Sequence, residues 1–304
     1  MNGVTVRTCA KVNLCLRVLG RRDDGWHEVQ TVLQTIGLWD TIHLAPPAAP
    51  GRISLTVAGA DIPADETNLC WRAAELLAPR AGSPGVAMHL EKSIPAAAGL
   101  GGGSSDAAAV LLALTRLWGL DVSLQELREL AAQLGSDVPF FLDGGCALAR
   151  GRGEKLTPLP EVAAWLVVVV PERRLSTAQA YAALGRGAAS GRCCALTRAA
   201  QRAVDAVKSA DPAGLAKVLH NDFEKLRMAP IKESLRAKEE LLEAGCLGAG
   251  LSGSGPAVFG IAPDRSAAEQ VVRRLQERWS WVRAAPTVPA GQGIVMQERR
   301  EVSP

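Results

Sequence analysis

Ile94-Pro-Ala-Ala-Ala-Gly-Leu-Gly-Gly-Gly-Ser-Ser-Asp106 is a glycine-rich loop set between two regular segments. Val86, Met88 and Leu90 before it recur at the period of a strand, and Ala107–Trp118 after it reads as an apolar helix. Strand, glycine loop, helix is the arrangement that aims backbone N–H groups at a ligand. The first turn of a helix has no internal acceptors for them and carries the positive end of the dipole. Gly101 to Gly103 let the chain approach a ligand closely, a combination that suits phosphate. A tight turn without a ligand is the alternative. The loop lacks the Gly-Lys-Ser/Thr of a Walker A sequence, and the H-R-D and D-F-G stations of protein kinases are absent. Asp121 lies about twenty residues past the glycines, where a dinucleotide fold places its ribose-binding acid. It directly follows one helix and precedes the Ser123-Leu-Gln-Glu126 capping box of the next, so no strand presents it.

Upstream, Val12, Leu14, Leu16 and Val18 alternate with Lys11, Asn13, Cys15 and Arg17, a strand that turns Lys11 and Asn13 to one face. Lysine is scarce, eight against 26 arginines, so one kept in an apolar strand stands out, although an edge-strand charge would read the same. After the turn Arg21–Gly25 come Trp26-His27 and extended stretches at 29–36, 41–44 and 53–57, then helical spacing from Thr67 onward. Ser136-Asp137-Val138-Pro139 reads as the start of a short helix, where an aspartate is ordinary. Taken with Lys11 and the loop it fits phosphoryl transfer: a carboxylate to accept a hydroxyl proton, an ammonium to offset charge, and amides around the phosphate.

The 304 residues fit two units, placed at 1–160 and 161–304, and 48% hydrophobic against 21% charged residues is ordinary for a globular protein. A net charge of +3 gives no argument for nucleic acid. The apolar run Val162–Val170 stops at Pro171, short of the roughly 20 residues that cross a bilayer, and reads as a buried strand. No charged start followed by an apolar stretch is seen, so a cytoplasmic location is expected. Seven cysteines without a C-x-x-C pair read as reduced, buried thiols, and four histidines without H-x-x-x-H leave no zinc pattern. In the second half Ser176-Thr177 caps a helix carrying the only tyrosine, Tyr181, and helices are expected at 195–208, 211–220 and 231–244. A second glycine segment, Gly248–Pro256, leads into a strand at 257–261, and Ser266-Ala-Ala-Glu269 caps the last helix. Trp281–Arg283 is expected as the final strand, with 281–284 able to return to the first unit, and Gln297–Pro304 as a tail with Arg299-Arg300 in solvent. Trp279 and Trp281 read as packing, and Cys193-Cys194 has no evident role.

Ala10-Lys-Val-Asn13, Pro95–Ser105 and Leu251-Ser-Gly-Ser-Gly-Pro256, in that order, resemble the three signature motifs of the kinases named after galactose, homoserine, mevalonate and phosphomevalonate. Asp24-Gly-Trp-His-Glu28, the tripled glycine and Gly135-Ser-Asp-Val-Pro-Phe140 resemble the branch whose acceptor alcohol carries a cytidine diphosphate, in the non-mevalonate route to isoprenoids. The resemblance implies a two-domain α/β (α+β) fold, the first domain like ribosomal protein S5 and the second ferredoxin-like, with the active site between them. It implies ATP and Mg2+ as cofactors and transfer of the γ-phosphate to the 2-hydroxyl of a methylerythritol moiety. Asp137 would be the general base and Lys11 its charge partner. Pro95, Gly99, Leu100, Gly101, Gly102, Gly103, Ser104 and Ser105 would cradle the ATP phosphates, with Asn68 and Lys92 as further nucleotide contacts and Ser105 as a magnesium ligand. Asn13 would bind the acceptor, His27 would hydrogen-bond the cytosine edge, and Tyr181, with Thr177 nearby, would stack on the ring. Gly253, Ser254 and Gly255 would close over phosphates or acceptor. Trp26 stands where the family usually has tyrosine; indole keeps the stacking surface and lacks the phenolic oxygen. The implied partner is a small molecule bearing a cytidine diphosphate group, without nucleic acid, membrane or protein partner. A sister kinase acting on homoserine, mevalonate or a sugar would not need Trp26, His27 and Tyr181. A noncatalytic RNA-binding module of the S5 type would need a basic face with salt-sensitive binding, and would leave Asp137 idle.

Overall fold

The computed structural model describes residues 3–188 and 195–298. Cys193-Cys194 and Arg299-Arg300 lie outside the described residues. In chain order the first part contains β1 (Val4–Arg21), β2 (His27–Ala45), β3 (Ile53–Ala58), α1 (Leu69–Leu77), β4 (Val86–Glu91), α2 (Gly102–Leu117), α3 (Leu124–Leu134), α4 (Val138–Asp143), β5 (Cys146–Gly151) and β6 (Lys155–Leu159). There follow β7 (Trp165–Val169), α5 (Thr177–Leu184), α6 (Arg198–Lys208), α7 (Pro212–Ala216), β8 (His220–Asn221), α8 (Ala229–Glu243), β9 (Gly248–Leu251), β10 (Val258–Ala262), α9 (Arg265–Leu275), β11 (Val282–Pro286) and β12 (Ile294–Glu298).

The first sheet is built on the long hairpin of β1 and β2. The free edge of β2 is shared, β5 pairing with Val29–Gln34 and β4 with Thr41–Ala45. Helices α1 to α4 cover one face through a core of Val6, Leu33, Ile42, Leu44, Met88 and Leu90 against Leu77, Leu111, Leu114 and Phe140. Ala107 to Ala109 leave α2 without bulk on that side, which brings the helix close to the sheet. The second sheet has the order β11-β7-β10-β9, all antiparallel, with α8 and α9 on one face. This is the ferredoxin-like order. Its other face, Leu166, Val168, Phe259 and Ile261, packs on Val12, Leu14 and Ile36 of the first sheet and on α6. Both faces of β1 are thus covered, and Lys11 to Leu16 are all buried, so the polar members of the alternating stretch are interior groups that need partners.

Several expectations are corrected. The final strand is not 281–283: β11 stays in the second sheet, and it is β12 that returns to pair with β1. Gln297 and Glu298 therefore belong to a strand rather than to a tail. With β8 and β12 in the first sheet, no single cut at 160 separates the two sheets. The proline-bearing stretch before that boundary is β6, an edge strand paired only with β5, and an edge is where a strand tolerates a proline such as Pro158. The last helix is capped by Asp264, whose side chain accepts from the Ala267 N–H, rather than by Ser266, and Ser176 makes no side-chain cap. The helix expected at 211–220 ends at Ala216.

Candidate active site

A cavity of about 1200 Å3 opens between the sheets, walled by the glycine loop, Lys11 and Asn13 of β1, Asp137, the second glycine segment, Trp26-His27 and α5. Gly101 precedes α2 at φ +72, a left-handed conformation, and a Cβ there would sit 2.9 Å from the Lys11 side chain. No side chain caps α2 and its first turn has no acid, so the N–H groups of Gly102, Gly103 and Ser104 are presented at the cavity wall. The loop is tied down from both sides. Lys11 N–H donates to the Leu100 carbonyl (2.9 Å), Ser252 Oγ to the Gly99 carbonyl (2.9 Å) and Ala257 N–H to the Ala98 carbonyl (3.0 Å).

Lys11 Nζ lies 3.3 Å from Asp137 Oδ2 and donates to Asn13 Oδ1 at 2.7 Å. Asn13 Nδ2 donates to Thr31 Oγ1 (2.8 Å), which donates to the Cys15 carbonyl (2.7 Å), so the amide orientation is fixed. Asp137 sits at the N-terminus of α4 without bonding to it, leaving its carboxylate free for other work. Its side chain is 34% exposed against 4% for Lys11: the ammonium is buried behind the carboxylate, which faces the cavity. At the far end His27 and Tyr181 rings lie 4.7 Å apart, and Phe223 meets Tyr181 edge-on at 4.9 Å. Burial, and then the charge of Arg21, hold His27 below its ordinary pKa of 6.5, so near neutrality it offers one ring donor and one acceptor. Trp26 is 51% exposed and its ring is backed by the Arg152 guanidinium 5.1 Å from the centroid.

The structure brings together Lys11, Asn13, Trp26, His27, Pro95, Gly99, Gly101, Gly102, Gly103, Ser104, Asp137, Thr177, Tyr181, Gly253 and Ser254 around this one cavity. Thr177 Oγ1 lies 3.1 Å from Ser254 Oγ, linking α5 to the second glycine segment. Five expected contacts lie elsewhere. Ser105 is fully buried and donates to the Cys9 carbonyl beside the Thr8 hydroxyl, which removes it as a metal ligand. Leu100 is a core side chain. Asn68 accepts from Cys70 N–H and donates to the Pro63 carbonyl, so its amide serves the start of α1. Lys92 is buried beneath the loop, donating to Asp40 and to Asp106 Oδ2 (2.8 Å). Gly255 faces Leu251 and Ile231 rather than the cavity. Sequence reasoning missed Thr31, Arg152 and Phe223; each acts through a partner distant in sequence, and no local pattern marks it.

Among the described residues no group of three histidine, cysteine or acidic side chains is arranged to hold a metal ion. On the cavity wall Ser104, Ser136 and Asp137 offer side-chain oxygens. That set suits a hard cation that keeps water and comes with its phosphates rather than one held in a protein cage.

Comparison with known proteins shows the family. Residues 68–145 match the family described as GHMP kinases N terminal domain, and 203–280 match GHMP kinases C terminal. A relative from Pelotomaculum thermopropionicum, named 4-diphosphocytidyl-2-C-methyl-D-erythritol kinase, is 48% identical over 90% of this chain and 94% of its own length. One of the same name from Moorella thermoacetica is 41% identical over 92% and 97%. A crystal structure of a 4-(cytidine 5'-diphospho)-2C-methyl-D-erythritol kinase superposes with a TM-score of 0.76 at 35% identity, covering 93% of this chain and 98% of the other. A homoserine kinase from Cytophaga hutchinsonii superposes at 0.73 with 19% identity, covering 98% of both chains, which shows the shared fold.

Proposed function

This chain belongs to the 4-diphosphocytidyl-2-C-methyl-D-erythritol kinase family of the GHMP kinases, and from that membership we propose that it moves the γ-phosphate of ATP to the 2-hydroxyl of 4-diphosphocytidyl-2-C-methyl-D-erythritol. It is an ATP-dependent small-molecule kinase. The observation that carries the choice of acceptor is one cavity holding both the Lys11–Asp137 pair and, at its other end, the Trp26, His27 and Tyr181 rings. An alcohol without a base would leave those rings without work.

In this reading the N–H groups of Gly102, Gly103 and Ser104 receive the ATP phosphates. Asp137 Oδ2 takes the proton of the acceptor hydroxyl as its oxygen bonds to the γ-phosphorus and the bond to ADP breaks. Lys11, held by Asn13 and Asp137, orients the carboxylate and offsets charge growing on the transferred group. His27 reads the polar edge of the cytosine while Trp26 and Tyr181 offer it aromatic faces. Magnesium carried in with the phosphates would neutralise their charge, and Ser104, Ser136 and Asp137 are the wall residues whose oxygens could hold it. No helix among the described residues is long and apolar enough to cross a membrane, and we place the reaction in the cytoplasm.

The test is ADP release with ATP and magnesium, offering the cytidylated alcohol beside mevalonate, homoserine and galactose. Turnover of the cytidylated alcohol alone is expected, and Asp137→Asn should lower kcat by roughly 100- to 10,000-fold with ATP binding retained. Turnover of mevalonate or homoserine instead would overturn the assignment of the cytidine end and spare the kinase.

A further inference from the structure

Three consecutive side chains, Asn221, Asp222 and Phe223, reach three separate parts of the acceptor site from a turn that none of the signature motifs includes. The turn is held against β1 by a short parallel ladder, Cys15 opposite His220 and Leu16 opposite Asn221. Asp222, fully buried, accepts from Val18 N–H (3.0 Å) and from Arg17 (3.0 Å) and Arg186 (3.2 Å), the last just past the end of α5. Phe223 backs the Tyr181 ring. Asn221 reaches furthest. Its Nδ2 donates to the carbonyls of both Leu251 and Gly253, each at 2.8 Å, while its Oδ1 accepts from Phe223 N–H (2.9 Å).

Gly253 is the next link, because its N–H donates at 2.8 Å to Asn13 Oδ1, the same oxygen that accepts from Lys11 Nζ at 2.7 Å. Gly253 stands at φ +56, and a Cβ there would meet the Gly99 backbone at 3.1 Å, so this arm lies where the two glycine segments touch. A backbone segment with two of its carbonyls held by one amide cannot drift without stretching or breaking these bonds. We propose that Asn221 is a positioning residue of the kinase reaction: by gripping Leu251 and Gly253 it sets the Gly253 N–H on Asn13, and through Asn13 it sets Lys11 against Asp137. Asn221 itself is not among the residues lining the cavity. Its role rests on the assignment of Lys11 made above, and its geometry does not.

Asn221→Asp separates the two halves of this side chain. An ionised carboxylate still accepts from Phe223 N–H but cannot donate to the carbonyls of Leu251 and Gly253. The variant should lower kcat on the cytidylated alcohol roughly 10- to 100-fold, the scale of an ångström-sized misplacement. In an Asn13→Ala background the same change should cost less than about threefold, because residues acting as one unit lose their effect together. Hydrogen–deuterium exchange at Gly253 N–H should quicken in Asn221→Asp without any substrate present. Costs that simply multiply in the double variant, or an unchanged Gly253 exchange rate, would overturn the proposal. Should Asn221→Asp not fold, Asn221→Ser keeps an oxygen near Phe223 N–H, is too short to reach both carbonyls, and is read in the same two ways. If the wild-type protein does not turn over the cytidylated alcohol, the functional reading fails while the exchange measurement still decides this one.

Discussion

Trp26 shows how one side chain can be prepared for a ligand while standing half in solvent. An indole 51% exposed is normally an unfavourable surface, but here one face is backed by Arg152 and the residue lines the cavity. Trp26→Ala should raise KM for the cytidylated alcohol by about 10-fold, corresponding to roughly 1–3 kcal/mol of stacking per base, with KM for ATP unchanged; steady-state kinetics with each substrate varied in turn checks it. Trp26→Tyr should remain close to the wild type, since a phenol also offers a face. At this scale the sequence was informative wherever a residue works through its own motif: Lys11, Asp137, His27 and Tyr181 all reach one cavity. It was misleading for Lys92. A scarce lysine beside the phosphate loop invites a role in binding, yet its partners are Asp40, 52 positions upstream, and Asp106 within α2, and no spacing rule announces such a triangle.

That triangle belongs to the elements it joins. Asp40 Oδ1 accepts from the N–H groups of Ser93 (2.6 Å) and Ile94 (2.9 Å), where β4 passes into the loop, and Asp106 anchors the start of α2. Two buried carboxylates share one ammonium, leaving one negative charge without compensation and favouring a proton on Asp106. Burial first, and the Asp40 charge after it, push the Asp106 carboxyl from 3.8 up to about 7, against the pull of Lys92, and Asp106 Oδ1 has no hydrogen-bond partner among the described residues. The folded state therefore holds this proton more tightly than the unfolded chain does. The stability it contributes is fully present below pH 3.8 and is lost as the pH climbs through about 7. Asp106→Asn, which carries a neutral group at all pH values, should show a flatter fall of melting temperature than the wild type when both are measured between pH 4 and pH 8, a range that spans the carboxyl's titration from its ordinary value upward. A parallel fall in both proteins would show that the triangle does not carry the dependence. Loop, strand and helix were each legible as elements; what holds their junction together was not, because β2, which carries Asp40, comes from another part of the chain.

For the molecule as a whole, the face of the second sheet formed by Leu166, Val168, Phe259 and Ile261 closes on β1, β2 and α6, so the two sheets share a core rather than meet at a surface. Phe259→Ala, at a fully buried position, should cost about 3–5 kcal/mol, and calorimetry should still show one transition rather than two. Separate transitions would mean that the two units unfold independently. The ferredoxin-like order of the second sheet was implied by the resemblance, whereas the return of the chain to the first sheet was assigned to the wrong strand. Ile294–Glu298 is half-exposed at the sheet's edge and has little apolar periodicity to betray it.

That returning strand has a topological meaning. Val4 stands opposite Glu298 in the ladder of β1 and β12, so the first strand and the last are neighbours. Read in space rather than along the sequence, the path from Val4 to Glu298 returns to its own starting point. Such a path can be opened anywhere its contour is exposed and unburdened, as at the turn of Gly119 between α2 and α3, where a glycine at φ +62 faces open solvent. A circularly permuted chain joined across β12 and β1 and beginning after Gly119 would keep every contact around the cavity. The order in which the segments are synthesised is separable from the architecture they make.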